Sequence, residues 1–84
     1  IYSVREDFGE VIEAEALETS SLVGKSIREA GLPNGVKIGS IIRADEVIAP
    51  KGGTVIETND TIVLFATYDA VKEVEKLFAV RADF

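Results

Sequence analysis

Eighty-four residues with a formal charge of -6 and no cysteine, histidine or methionine set narrow chemical limits: one small core, no disulfide or zinc-thiolate site, and neither the commonest catalytic base nor an imidazole metal ligand. The negative balance also argues against long-range attraction to nucleic acid or to an acidic membrane surface. Six of the acids (Glu6, Asp7, Glu10, Glu13, Glu15 and Glu18) stand against one base, Arg5, within the first 18 residues, whereas the remainder is nearly balanced.

The chain carries neither a signal-peptide pattern nor an apolar run of membrane-spanning length, so a soluble cytoplasmic domain is expected. Its start at Ile1 without any methionine suggests a piece of a longer protein. Between Val11 and Leu17 the side chains alternate, with Ile12, Ala14 and Ala16 on one face and Glu13 and Glu15 on the other, as in a half-buried strand. Residues 6 to 18 could offer hard oxygen ligands to a cation, but alternation along a strand makes Glu13 and Glu15 a wet face instead.

Ser21-Leu22-Val23-Gly24-Lys25-Ser26 resembles the end of a phosphate loop, yet Thr19 occupies the position where such a loop needs its first glycine. Leu22, Val23, Ile27 and Ala30 instead fall at helical spacing after Ser20 and Ser21, with Gly31 placed as a C-cap, and this predicts a short helix over 22–30. Gly24 is then expected to let the helix approach a sheet closely. Lys25 and Arg28 are expected to be solvated.

Leu32-Pro33-Asn34-Gly35 predicts a turn. Val36 to Arg43 and Glu46 to Ala49 predict a hairpin turned at Ala44-Asp45, with Asp45 as the residue of positive φ. Pro50-Lys51-Gly52-Gly53 interrupts the pattern, Thr54 to Glu57 restores it, and Asn59-Asp60 turns into Thr61 to Thr67, with Asp60 capping that turn. The nearly continuous apolar run from Thr61 to Ala66 predicts a central strand covered on both faces. Asp69 is placed as the N-cap of a helix over 70–78 whose stripe is Val71, Val74, Leu77 and Phe78. The fold class is therefore α+β, a small, mainly antiparallel sheet with two helices packed against it.

Leu22 to Ile27, then Ile42-Arg43, Pro50 and Asn59-Asp60, stand in the order and spacing of the RCK-C or TrkA-C domain, and the chain resembles that family from about Val11 to Phe78. Asn59 replaces a usual glycine and Ala44-Asp45 replaces a glycine-containing turn, both workable turn chemistries. The resemblance implies a single domain over 1–84, with 1–10 as the tail of a preceding segment, in a non-catalytic regulatory role. It is closest to the last domain of the peripheral subunit of a bacterial potassium-uptake system, which implies NAD bound in Rossmann domains elsewhere in the parent chain and docking on a potassium-translocating membrane subunit. The expected location is cytoplasmic, peripheral to the inner face of the cell membrane, without insertion and without nucleic acid. A homodimer through this domain is also implied.

In family members that bind cyclic di-AMP, the ligand lies between two such domains close to the Ile-Arg strand. Ile41, Ile42, Arg43 and Pro50 are accordingly the ligand or dimer-interface candidates. No histidine is present to complete such a ligand site, so the expected role of Arg43 is an interface salt bridge, at the rim of an apolar surface made by Ile38, Ile41, Ile42 and Val47. The alternative is a ligand-sensing domain of another channel, antiporter or anion transporter. An enzyme fragment is the third reading, although no carboxylate, lysine, serine or tyrosine pair is persuasively spaced for it.

Overall fold

A computed structural model describes residues 2–78 and shows one five-stranded antiparallel sheet. The strands are β1 (Tyr2–Arg5), β2 (Gly9–Glu15), β3 (Val36–Arg43), β4 (Glu46–Ile48) and β5 (Thr61–Thr67), in spatial order β1-β2-β5-β3-β4. A 3-10 turn at Tyr68–Ala70 leads into α1 (Val71–Phe78). Residues 2–10, expected as the tail of a preceding segment, contribute the edge strand β1 and the start of β2.

The alternation read in β2 sets the layers: Ile12, Ala14 and Ala16 are buried while Glu13 and Glu15 are exposed. Register carries this across the sheet, because Ile12 faces Leu64 and Ala14 faces Ile62 on β5, and these face Ile38 and Ile41 on β3. Directly opposed residues share a face, so these side chains form one core beneath Val74 and Phe78 of α1. The helical stripe is as expected, with Val74 and Phe78 buried and Val71 and Leu77 packed at the edge. Asp69 does not cap α1 as expected: it sits in the 3-10 turn, and its carboxylate accepts from the Thr67 hydroxyl at 2.6 Å.

Four expectations need correction. β5 is central, but only Ile62, Leu64 and Ala66 are buried, and Phe65 on the opposite face is 40% exposed. Its apolar run therefore marks an open second face, not a covered one. Thr54 to Glu57 form no strand; Val55 makes a single bridge with Ser26.

The predicted helix over 22–30 is absent, leaving one α-helix among the described residues where two were expected. Separate turns replace it, closed by bonds from Val23 N–H to the Ser20 carbonyl and from Glu29 N–H to the Ser26 carbonyl. Between them the amides of Gly24, Ile27 and Arg28 donate to the carbonyls of Ile56, Thr54 and Gly52. Amides spent on another segment cannot build a helix, so apolar residues at helical spacing here reflect two turns facing one core. Fourth, Gly24 is needed for its backbone: its φ is +87° and a Cβ there would meet nothing within 4 Å, so close approach to the sheet is not its role.

The second turn closes on itself through Ser26 and Glu29. The Ser26 hydroxyl donates to Glu29 Oε1 at 2.8 Å, and the Glu29 amide donates to Ser26 Oγ, a capping box outside any helix. These bonds hold the Glu29 carboxyl below the usual range. The spacing Ser26-x-x-Glu29 carries this signal in the sequence.

One irregularity decides where the β3 side chains point. Register shifts between Ile38 and Ser40, so Ile38 and Ile41, three residues apart, both face the core. The bulged Gly39 has no side chain, and a Cβ there would lie 2.4 Å from the Phe65 ring, which packs over it. The bulge also moves Arg43 onto the core side of the sheet.

Candidate functional site

Arg43 ends β3 beside the loop 55–60, and that loop receives every bond it makes. Its Nε and Nη2 donate to Asp60 Oδ1 and Oδ2, each at 2.8 Å, in a bidentate fork. Nη2 also donates to the Val55 carbonyl at 2.8 Å, and Nη1 lies 2.9 Å from Glu57 Oε2. Asp60 is 1% exposed and accepts in addition from the Glu57 amide at 2.9 Å. The Arg43 guanidinium, with that amide, holds the Asp60 carboxyl well below the usual carboxylate range against the opposing effect of burial. Asp60 reciprocally raises Arg43.

The backbone extends this clamp, since Ala16 N–H donates to the Asp60 carbonyl and Asn59 N–H to that of Ala16. Asn59 takes the left-handed conformation expected of it, at φ +73°. In the β3–β4 hairpin both Ala44 and Asp45 have positive φ, as a two-residue type I′ turn requires, whereas only Asp45 was expected to. Asp60 does cap its turn. Its larger role, as the buried partner of Arg43, was not legible because the Gly39 bulge decides which face Arg43 joins.

The four candidate residues do not converge. Ile41 is fully buried in the core of its own chain. Arg43 turns most of its donors to Asp60, Val55 and Glu57 of its own chain. Ile42 points to the opposite face, across from Val47 and Thr61.

Pro50 alone lines an open groove of about 250 Å³, together with Ile27, Leu32, Ile38, Lys37 and Lys51. Apolar walls with the exposed Lys51 beside them suit a ligand or partner surface with an apolar body and negative charge. Arg28 lies close by, its guanidinium running over Gly52. Among the described residues no cluster of three or more acids, cysteines or histidines is placed to hold a metal, and no helix is long and apolar enough to cross a membrane.

The sequence profile of the TrkA-C domain matches residues 11–79. The chain belongs to the TrkA-C domain family. It is 46% identical over its full length to the Trk system potassium uptake protein TrkA of Azorhizobium caulinodans, of which it spans 18%. Among solved structures it resembles the RCK_C domain dimer of S. agalactiae BusR in complex with c-di-AMP, with a TM-score of 0.72 and 28% identity over 84% of this chain and 91% of that one. It also resembles the RCK C domain of the potassium transport protein KtrA in complex with c-di-AMP, with a TM-score of 0.68 and 25% identity over 79% of each chain. TrkA-C and RCK-C domains are regulatory.

Proposed function

We propose that this TrkA-C domain is a non-catalytic regulatory module of a cytoplasmic potassium-uptake subunit, one that binds NAD in its other domains and gates a membrane potassium transporter. The supporting observation is the family match over 11–79 combined with full-length identity to a potassium-uptake protein. A regulatory domain works by making contacts that differ between two states of an assembly. The face that carries the Ile27, Ile38 and Pro50 groove is the surface for that contact, and a second copy of the domain is its partner. Half-buried apolar side chains and Lys51 lie open there. Sedimentation equilibrium on the 84-residue chain tests this: a dimer is expected, weakened by Pro50→Glu, and a monomer at high micromolar concentration overturns it.

A second reading has its own support, because two solved neighbours hold cyclic di-AMP and this groove pairs Lys51 with apolar walls. Calorimetry with cyclic di-AMP should then show saturable binding that Lys51→Glu abolishes. Arg43→Ala is a poor probe of that site, since Arg43 holds the fold.

A further inference from the structure

The sheet face opposite the core has no layer on it among the described residues. Register places Val4, Val11, Phe65 and Lys37 in one row across it, then Tyr2, Glu13, Val63 and Ser40, then Glu15, Thr61, Ile42 and Val47. Val47 is 74% exposed and Tyr2 68%. At one end Phe8 tilts against Phe65, ring centroids 6.3 Å apart, and with Lys37 and Thr67 they line a hollow of about 400 Å³. A contiguous apolar face of this kind marks an interaction surface.

Its charges select the partner. Glu13 projects from the middle row of this face and Glu15 from its end row, and neither forms an ion pair among the described residues. Of the residues placed on this face only Lys37 is cationic, so a second copy packed face to face would bring four carboxylates, two from each copy, against two ammonium groups. At least two carboxylates would then be buried without a cation, a cost that opposes self-association. A helix with an apolar stripe and flanking basic residues meets both needs, because helices are the usual cover for a sheet face and its cations reach the two glutamates.

We propose that the outer face of this sheet docks a basic amphipathic helix, which anchors an apolar side chain in the hollow beside Phe8 and Phe65 and pairs its cations with Glu13 and Glu15. Two synthetic peptides with the same leucine stripe, one flanked by lysines and the other by glutamates, test this on the 84-residue chain by fluorescence anisotropy and amide chemical shifts. The lysine peptide should bind saturably and shift the amides of Glu13, Val63 and Phe65. The Glu13→Lys/Glu15→Lys variant changes only exposed positions and should weaken it at least about tenfold. The proposal is overturned by any of four results: no saturable binding, equal affinity for the glutamate peptide, unchanged affinity in the double variant, or shifts confined to another surface. Self-association abolished by Val47→Lys would name a second copy as the occupant and overturn it as well.

Discussion

The two faces of the sheet handle carboxylates in opposite ways. On the core side Asp60 is buried, and a bidentate arginine, a backbone amide and a turn surround it. On the outer side Glu13 and Glu15 stand in water among valines and aromatic rings. Charge on the first face is internally neutralised and serves folding. Charge on the second is available to a partner, so the same chemistry separates a structural face from a recognition face.

That contrast breaks most sharply at Asp60. Asp60→Ala removes the fork, leaves the Glu57 amide without its acceptor and deprives Arg43 of its main partner, at a cost of about 3–5 kcal/mol. A domain with only about 5–15 kcal/mol of total stability would be close to unfolding. Arg43→Ala should be comparably damaging, because it strands a buried carboxylate. Urea denaturation measures both, and a loss no larger than that of Glu13→Ala would erase the distinction between the faces.

Acid should act on the same pair. The folded Asp60 carboxyl titrates below its unfolded value of about 3.9, so its contribution is fully present above that value and is lost as pH falls through the folded pKa. Urea curves taken from neutral pH downward should fall more steeply for the native chain than for Asp60→Asn.

Apolar substitutions should give the next largest difference. Leu64 is fully buried, and Leu64→Ala is expected to lose about 2–5 kcal/mol through transfer and cavity terms. Val47→Ala, on the outer face, should stay within about 0.5 kcal/mol. Thermal or urea unfolding compares them, and a Val47→Ala loss approaching that of Leu64→Ala would mean the outer face is already covered.

Much of this division was legible along the chain, but only where local pattern decides the outcome. Alternation in β2 assigned Ile12, Ala14 and Ala16 correctly because one strand face meets one core. The stripe of α1 was legible for the same reason. The run Thr61 to Ala66 misled, since apolar residues on both faces of a strand look the same whether the second face meets a core or awaits a partner. The face that Arg43 joins was not legible, because the Gly39 bulge exchanges every later β3 side chain between faces. The groove at Pro50 was only partly legible: Pro50 and Ile38 were among the interface expectations, but Ile27 joins them through tertiary packing.

The smallest expected effect concerns the lid over the core face, where the sequence pattern called for a helix and the backbone built two turns. Gly24 stands between those turns at φ +87°, with open space where a Cβ would lie. Gly24→Ala therefore adds no clash, and its cost is only that of holding a left-handed alanine, about 1–2 kcal/mol. Gly53 provides the control, because its Cβ position is equally open and its φ is not positive. Gly53→Ala should be neutral or slightly stabilising through the unfolded chain. A helical lid would reverse the order, since alanine favours helix interiors over glycine by about 1 kcal/mol. Urea unfolding of the two variants thus separates the lid observed here from the one the sequence pattern predicts: Gly24→Ala is expected to be the less stable, and a Gly24→Ala variant more stable than the native chain would restore the helix.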